Sequence, residues 1–323
     1  MLTDLAIIAA GLAGLVWSAD RFVDGAAAIA RRLGMAPLLI GMTIVSVGTS
    51  APEILVSLMS ALSGSGELAV GNAFGSNIAN IGMVLGATLL ISPITVGRTT
   101  ARIDLPMLTI NVLVCFALLV DQVLSLFDAI VLFIGLGLFI GRMIRHAKHP
   151  DINDEAPEIP NLSLGRAWFI FLIGLLMLIG ASRALVWASI NVAQALGISE
   201  LVIGLTIVAI GTSLPELAAS AVSALRGHAD IAIGAVVGSN MFNLLVVLAI
   251  PGLFGDLPLE RDAVWRDLVM VLISTVALAL ATRIGWQSAT HRARLGRRAG
   301  AVFLSLYVLY YLWLFTAPGT SIG

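Results

Sequence analysis

Residues 41–86 read GMTIVSVGTSAPEILVSLMSALSGSGELAVGNAFGSNIANIGMVLG, and residues 204–249 read GLTIVAIGTSLPELAASAVSALRGHADIAIGAVVGSNMFNLLVVLA. The two stretches align without a gap at an offset of 163 residues, and 22 of the 46 aligned positions are identical. Shared apolar composition alone would not align GTSxPE with GTSxPE and GSNxxN with GSNxxN. We therefore interpret the chain as two copies of one structural unit.

The composition places this repeat in a membrane. The 323-residue chain is 59% apolar and 11% charged, whereas a soluble domain is about 25% charged. Its mean hydropathy is +1.02 and its net charge is −1. These values exclude a soluble enzyme and give no reason for a nucleic-acid partner. The single cysteine, Cys115, excludes an intramolecular disulfide. The lipid bilayer is the only surrounding that the composition implies, with no protein partner and no cofactor.

A bilayer core requires about 20 apolar residues per helix, and ten segments meet this requirement. Because each copy then has five spans, an odd number, the second copy enters the membrane from the opposite side. The prediction is an all-α integral membrane protein made of two inverted five-helix repeats, residues 1–144 and 164–323, with a cytoplasmic linker at 145–163. We number the predicted spans 1–10, at residues 2–33, 36–63, 67–91, 104–120, 124–144, 164–196, 200–225, 229–252, 263–282 and 300–316.

Basic residues in the short loops orient the predicted spans. With the N-terminus outside, fourteen Lys and Arg residues face the cytoplasm and only Arg261 and Arg266 face outward. This bias predicts a multi-pass protein of the inner (plasma) membrane with both termini outside. The basic run from His291 to Arg298 is interpreted as a cytoplasmic loop, with contact to anionic lipid as an alternative role.

A carboxylate lies inside each of two apolar spans, Glu53 in span 2 and Glu216 in span 7. A charge at the centre of a membrane helix costs at least about 2.5 kcal/mol, so such a residue indicates a functional site. Hydroxyl side chains at helical spacing share a face with each carboxylate. They are Ser46, Thr49, Ser50, Ser57 and Ser60 in span 2, and Thr212, Ser213, Ser220 and Ser223 in span 7.

A proline precedes each of these carboxylates, Pro52 in span 2 and Pro215 in span 7. Proline has no N–H, so the carbonyls of Gly48 and Gly211 lose their helical partners and both spans are predicted to be interrupted. Carboxylates, hydroxyls and freed carbonyls are hard oxygen donors, which suit Ca²⁺ and Na⁺ and disfavour soft metals.

The GSNxxN motifs place further polar side chains in spans 3 and 8. Glycines precede them, so these spans are also predicted to be interrupted or to approach neighbouring helices closely. The pseudo-symmetry then predicts one cluster near the membrane midplane, where inverted repeats place their substrates. The polar residues of the two motifs are Ser76, Asn77 and Asn80, and Ser239, Asn240 and Asn243.

Other polar residues have structural interpretations. Ser57, Ser60, Ser220 and Ser223, taken alone, are typical of helix packing. Asp20 and Asp24, close to Arg21, are expected to form ion pairs or to anchor span 1 at the interface. The four histidines lie in predicted loops, which excludes a membrane enzyme built on a nucleophile and a base. Three acids near span ends are expected to be solvated or to cap helices: Asp104, Asp121 and Asp128.

On GTSAPE, GSNIAN, GTSLPE and GSNMFN the chain resembles the Ca²⁺/cation antiporter superfamily, and most closely its bacterial sodium/calcium exchanger-like branch. The resemblance implies secondary antiport in which cytoplasmic Ca²⁺ leaves in exchange for external Na⁺. It implies that Glu53 and Glu216 ligate Ca²⁺ and that Asn80 and Asn243 border the central site. It assigns Na⁺ to the side chains of Thr49, Ser50, Ser76, Thr212, Ser213 and Ser239 and to the carbonyls of Ser46 and Ala209.

The chain departs from the family pattern at Asn243, where several members carry Asp. This departure leaves the ion stoichiometry open and argues against a K⁺ requirement, because the K⁺-dependent branch resembles the Asp form. Two alternatives remain. A Ca²⁺/H⁺ antiporter of the same superfamily is the first, because carboxylates in low dielectric also bind protons. A cation channel is the more remote alternative, because a channel needs a continuous pore.

Overall fold

The structure is a computed structural model that describes residues 1–146, 161–196 and 209–316, and within these ranges the chain is almost entirely helical. The first repeat begins with one long helix, α1. Its second and third predicted spans contain several consecutive segments. The helices are α1 (Leu2–Leu33), α2 (Pro37–Ile40), α3 (Ser46–Thr49), α4 (Ala51–Leu62), α5 (Gly66–Ala79), α6 (Gly86–Ile91), α7 (Leu105–Leu118) and α8 (Leu126–His146).

The second repeat has the same order of elements. Its long first helix is α9, and the start of its second predicted span falls in residues 197–208, outside the described residues. The helices are α9 (Leu164–Ala195), α10 (Ala209–Thr212), α11 (Leu214–Leu225), α12 (Ala229–Phe242), α13 (Ala249–Gly252), α14 (Arg261–Ile284) and α15 (Arg297–Thr316). π-Helical turns fill the gaps at Gly41–Val45, Asn80–Leu85, Thr100–Asp104 and Asn243–Val247.

Two small antiparallel sheets, which the hydropathy pattern does not predict, lie in the connections between helices. In the first, β2 (Val123–Leu124) pairs with β3 (Leu257–Pro258). In the second, β5 (Arg292–Leu295) lies between β1 (Ile94–Val96) and β4 (Trp286–Gln287). Each sheet joins a connection of the first repeat to one of the second, so the two sheets mark two sides of the molecule.

Helices related by the repeat run in opposite directions between these two sides. α5 begins where Gly66 packs against Leu257, on the β2–β3 side, and its continuation α6 leads to β1. α12 begins on the other side, where Ser92 Oγ donates to the carbonyl of Ala224, and its continuation α13 ends with Gly252 against Ser125. The observed opposite courses are those of an inverted repeat.

The long helices α1 and α9 pack against each other along much of their length and form a hydrophobic cluster separate from the larger one around α5, α12 and α14. The two backbones approach closely because glycine faces phenylalanine twice. An ideal Cβ on Gly25 would lie 2.6 Å from the Phe171 nitrogen, and one on Gly174 would lie 2.5 Å from the Phe22 nitrogen. The rings of Phe22 and Phe171 then stack with centroids 4.7 Å apart.

By length and apolar composition, seven helices of the described chain are able to cross a membrane, and an eighth crossing results if Pro37–Thr49 and Ala51–Leu62 form one bent span. The expected interruption of spans 3 and 8 takes a different form in the structure. Gly66–Ile91 and Ala229–Gly252 are each continuous helices, and a π-helical turn replaces the break.

The acids near span ends differ from one another. Asp128 caps α8, because its carboxylate accepts 2.7 Å hydrogen bonds from the backbone N–H and the hydroxyl of Ser125. Asp121 accepts a bond from the N–H of Val123 in the same connection. The expectation was wrong for Asp104, which is fully buried and forms a 2.5 Å ion pair with Arg142 of α8. Sequence spacing could not reveal a partner 38 residues away.

Candidate cation site

The helix of span 2 breaks one residue after Thr49. α3 ends at Thr49, Ser50 has φ −83° and ψ 2°, and α4 continues at an angle of 46° with proline in its first turn. The second repeat has the same geometry. α10 ends at Thr212, Ser213 has φ −94° and ψ 6°, and α11 begins with proline in its first turn. Each GTSxPE motif therefore bends the backbone at its serine.

The bends bring the two carboxylates into the protein interior. Glu53 lies in the first turn of α4 and is 2% exposed, and Glu216 lies in the first turn of α11 and is 4% exposed. The two carboxylates are near enough to interact electrostatically, and Thr49 of the first repeat lies beside Glu216 of the second. The carboxylates of the two repeats therefore belong to one site.

The last asparagine of each GSNxxN motif lies at the start of a π-helical turn. Asn80 begins the π-helical turn Asn80–Leu85, and Asn243 begins the turn Asn243–Val247. In the second turn the Leu248 N–H donates to the Asn243 carbonyl at 2.9 Å, five residues back. π-Helical turns inside α-helices frequently mark functional sites. Both asparagine side chains are at most 2% exposed.

Close backbone packing brings span 8 against span 2. An ideal Cβ on Gly238 would lie 2.6 Å from both the Met42 carbonyl oxygen and Ser46 Oγ, so only glycine permits this approach. The result places Ser46 of the first repeat next to α12, where Ser239 follows Gly238. Both serines are fully buried.

Many buried polar atoms in this region have no hydrogen-bond partner among the described residues. A buried polar group left unpaired costs about 1–3 kcal/mol, so such a concentration indicates a site for a ligand with several oxygen-binding positions. The unpaired atoms include oxygens of both carboxylates and of both asparagines. They are Ser50 Oγ, Glu53 Oε2, Asn77 Oδ1, Asn80 Oδ1, both carboxylate oxygens of Glu216, Ser220 Oγ, Ser223 Oγ, Ser239 Oγ and the amide atoms of Asn240 and Asn243.

Other predicted site residues have partners within their own helices. Ser46 Oγ donates to the Thr43 carbonyl at 3.1 Å, and Thr49 Oγ1 contacts the Ser46 carbonyl at 3.4 Å. That same Ser46 carbonyl accepts the Ser50 N–H at 2.9 Å.

The remaining predicted site residues differ in exposure. Ser76 and Ser213 are buried, and Thr212 is half-buried, whereas its counterpart Thr49 is fully buried. Ala209 begins α10, and its side chain lies outside the described part of the chain.

The serines interpreted as packing residues have different hydrogen-bond partners in the two repeats. Ser57 Oγ donates a 2.6 Å hydrogen bond to the carbonyl of Val247, the last residue of the π-helical turn in the other repeat. Its counterpart Ser220 has no partner among the described residues. Ser60 accepts the hydroxyl of Ser63 through its own carbonyl. The packing interpretation is therefore supported for Ser57, and among the described residues Ser220 does not repeat its hydrogen bond.

Two residues that were not predicted as site residues form hydrogen bonds to backbone carbonyls of the GTSxPE motifs. Asn72 Nδ2 donates to the carbonyl of Glu53 at 3.2 Å, and Ser182 Oγ of α9 donates to the carbonyl of Gly211 at 2.9 Å. Asn72 lies one helical turn before Ser76, a spacing that could have suggested it. Neither residue belongs to the repeated pattern, because the residues at the 163-residue offset are Ala235 and Ala19.

A cavity of about 270 Å³ reaches the site between α9 and the bends of spans 2 and 7. Gly211 and Thr212 line it from span 7, and Arg183 and Trp187 line it from α9. The lining residues of α9 lie in the half of that helix that leads toward the β2–β3 side. Thr212 of the second repeat is therefore next to a cavity, consistent with its partial exposure.

On the opposite side, an ion-pair cluster joins α1 to the end of α11, as expected for Asp20 and Asp24. Arg226 pairs with Asp20 and lies 2.7 Å from Asp24 Oδ1. Arg21, the neighbour noted from the sequence, is only 3.9 Å from Asp24 Oδ2. The stronger partner comes from the other repeat, 202 residues away.

The geometry agrees with comparisons to known proteins. A family model described as "Sodium/calcium exchanger protein" matches residues 3–145 and 166–316. The chain is 39% identical to a putative antiporter, CaxA, of Alkalimonas amylolytica, over 98% of this chain and 100% of that protein. It is 36% identical to the inner membrane protein YrbG of Escherichia coli, over 98% of each.

The fold is similar to that of a solved transporter. The structure superposes on the sodium-calcium exchanger NCX_Mj with a TM-score of 0.81 at 30% sequence identity, covering 98% of this chain and 99% of that one. Similarity over nearly the whole of both chains includes both repeats and the region of the buried carboxylates.

Proposed function

The chain belongs to the sodium/calcium exchanger protein family, and from this premise we propose that it extrudes cytoplasmic Ca²⁺ in exchange for external Na⁺. The observation that carries the proposal is the pair of buried carboxylates, Glu53 and Glu216, which the two repeats contribute to one site. Their charge of −2 when ionised matches one Ca²⁺. The relatives named above are an antiporter, an exchanger and a membrane protein, so the family is one of transporters rather than enzymes.

We assign Ca²⁺ to the centre of the site. Glu53 and Glu216 would supply carboxylate oxygens, and Asn80 and Asn243 would border the ion with amide oxygens. Unpaired oxygens on all four side chains support this assignment, because Ca²⁺ takes six to eight oxygen ligands. Ca²⁺ is the transported substrate in this scheme, and no cofactor takes part.

We assign Na⁺ to positions on either side of the centre, one in each repeat. The bends at Ser50 and Ser213 bring hydroxyls and carbonyls together within one or two helical turns, which supports two smaller sites. The first would consist of Thr49, Ser50, Ser76 and the Ser46 carbonyl, and the second of Thr212, Ser213, Ser239 and the Ala209 carbonyl.

Exchange follows from competition for the same charges. With both carboxylates ionised, Ca²⁺ neutralises the site, and Na⁺ ions at the flanking positions do the same without Ca²⁺. A site loaded with either ion avoids the cost of uncompensated buried charge. An unloaded site bears that cost while its access switches from one side of the membrane to the other. The protein therefore alternates readily only when it is loaded, which couples the two fluxes.

We propose a ten-span architecture of two inverted repeats, residues 1–144 and 164–323, with the linker 145–163 in the cytoplasm. The opposite courses of α5 and α12 between the two small sheets support the inversion. The positive-inside bias places the β1–β5 side in the cytoplasm and both termini outside. Similarity to the inner membrane protein YrbG supports a location in the plasma membrane.

With this orientation, the cavity beside Thr212 would lie in the outer half of the protein. The half-buried state of Thr212, compared with the full burial of Thr49, supports external access to the second Na⁺ position. The ion pairs of Arg226 with α1 would lie on the closed cytoplasmic side. We therefore assign the structure to an outward-accessible state.

Flux measurements in vesicles test the proposal directly. Purified protein is reconstituted into liposomes loaded with Na⁺ and diluted into Na⁺-free medium containing ⁴⁵Ca²⁺. Exchange requires ⁴⁵Ca²⁺ uptake that depends on the Na⁺ gradient and that disappears in Glu216→Ala. Uptake driven by a pH gradient without Na⁺ would instead identify the Ca²⁺/H⁺ antiporter. Uptake that needs no counter-ion gradient would identify a channel.

A further inference from the structure

Arginines concentrate on the β1–β5 side of the molecule. The segments 98–102 and 283–298 carry seven arginines and no Asp or Glu. The second segment forms the hairpin of β4 and β5 between α14 and α15, and β1 of the other repeat completes its sheet. A rigid scaffold therefore holds this basic surface in place.

Three of these arginines line a groove. Its volume is about 1040 Å³, and it lies between α14 and α15 beneath the hairpin. Its walls are apolar, and two of the wall residues are strongly exposed, Ile284 at 85% and Val302 at 54%. The apolar lining includes Ala277, Leu280, Ala281, Ile284, Val302 and Phe303, and the lining arginines are Arg294, Arg297 and Arg298.

The three guanidinium groups retain unused donors. Among the described residues, none of Arg294, Arg297 and Arg298 forms a salt bridge, since the ion pairs lie elsewhere. Arg297 Nε donates to the Leu90 carbonyl at 3.1 Å, which fixes the position of its side chain. Guanidinium groups prefer phosphate because their planar donors match its oxygens.

We propose that this groove binds an anionic phospholipid, with the phosphate among the three arginines and one acyl chain along α14 and α15. A groove lined by both arginines and apolar side chains matches the two chemical halves of such a lipid. A solvated cytoplasmic loop would need the arginines but not the groove. A neutral lipid would fill the groove but leave the arginines without a partner.

The position of the groove predicts an effect on the fold. α15 packs its Tyr307 directly on Gly82, in the π-helical turn that begins at Asn80. Arg297 in turn holds the end of α6 through Leu90. A lipid that fastens α15 therefore also stabilises the helix that carries Asn80, so anionic lipid raises the melting temperature of the protein.

Native mass spectrometry of the full chain, equilibrated with equal amounts of phosphatidylglycerol and phosphatidylcholine, tests the site. We expect the wild type to retain phosphatidylglycerol preferentially and Arg294→Gln/Arg298→Gln to lose about tenfold in that preference. The matched control, Arg145→Gln/Arg166→Gln, removes the same charge at the ends of α8 and α9 and should retain the wild-type preference. Equal loss in the control, or no loss in the groove variant, would overturn the proposal.

A second variant keeps the proposal testable if the arginine pair proves necessary for folding. Val302→Trp leaves all three arginines in place and fills the groove with a side chain from its exposed wall. We expect weaker retention of phosphatidylglycerol and a smaller rise in melting temperature on its addition than in the wild type. Unchanged retention and an unchanged rise would mean that charge alone attracts the lipid, and the groove would then have no role.

Discussion

The Ser182 hydroxyl donates a 2.9 Å hydrogen bond to the carbonyl of Gly211, the residue four positions before Pro215. Proline cannot donate to that carbonyl within the helix, so α9 supplies the partner that α11 lacks. The bond joins the α1–α9 pair to the residue immediately before Thr212. A shift of α9 along its axis would break this bond, so α9 and the second Na⁺ position are mechanically connected.

Ser182→Ala should weaken Na⁺ binding. The Gly211 carbonyl would lose a hydrogen bond worth about 0.5–1.5 kcal/mol, and the backbone beside Thr212 would be less well held. We expect the half-saturating Na⁺ concentration for Ca²⁺ exchange to rise by roughly 2- to 12-fold, as that energy implies. Ser18→Ala is the control, because the Ser18 hydroxyl bonds only to carbonyls of its own helix. An identical Na⁺ dependence in both variants would refute the connection.

Glu53→Ala and Glu216→Ala should each abolish Ca²⁺ transport while the protein still inserts. One desolvated Ca²⁺ needs both negative charges, and a single carboxylate leaves it uncompensated. The measurement is ⁴⁵Ca²⁺ flux in vesicles with protein amount and monodispersity checked. Glu67→Ala is the matched control, because it removes an exposed carboxylate at the start of α5. Wild-type flux in either well-folded site variant would disprove the site.

Asn243→Asp should fold and change the cation dependence. Where the added carboxylate ionises, the charge of the unloaded site moves from −2 to −3, so cation affinity should rise with pH more steeply than in the wild type. Asn80→Asp should behave similarly, because Asn80 also begins a π-helical turn. Isothermal titration of Ca²⁺ at several pH values measures this. Superimposable pH curves in both Asp variants and in both Ala variants would make the asparagines packing residues.

Arg226→Gln should destabilise the protein by about 1–2 kcal/mol, because it leaves the carboxylate of Asp24, which is 8% exposed, without its closest partner. The exposure of the arginine, 39%, keeps the effect below that of a fully buried pair. Arg226→Gln/Asp24→Asn should recover part of the loss in a thermal-unfolding assay. Additive losses in the double variant would mean that the two residues do not interact energetically.

Cysteine labelling tests the orientation. In a Cys115→Ser background, Asp256→Cys lies in the exposed connection next to β3, and Ser288→Cys lies in the exposed hairpin between β4 and β5. The positive-inside bias predicts that a membrane-impermeant maleimide added to intact cells labels the first and not the second. The opposite pattern would reverse the assignment of the two sides.

The sequence predicted the repeat and most helix boundaries closely. Leu2–Leu33 and Ala229–Gly252 have the bounds expected from hydropathy alone. Local signals were sufficient there, since an apolar run with polar ends leaves little freedom in where a helix starts. The bends at Ser50 and Ser213 could likewise be predicted, because the adjacent proline removes a hydrogen bond wherever the helix packs.

Contacts between distant segments could not be predicted in this way. The pairing of Arg142 with Asp104 and the small sheets between the repeats depend on how the helices pack. The π-helical turns at Asn80 and Asn243 were not predicted, because the interruptions expected in spans 3 and 8 rested on the preceding glycines, and both helices are continuous. Asn72 and Ser182 could not be predicted from the repeated motifs, because each has alanine at the corresponding position of the other repeat.

Asn72 and Ser182 show that the two halves of the chain are not equivalent. Each supports the backbone of one bend, and alanine occupies the corresponding position of the other half. Two identical halves would have each bond twice or not at all, so the two halves of this chain differ in how their bends are supported. A chimera of two copies of residues 1–144 would carry the Asn72 bond at both bends and the Ser182 bond at neither. The present halves are therefore no longer interchangeable parts.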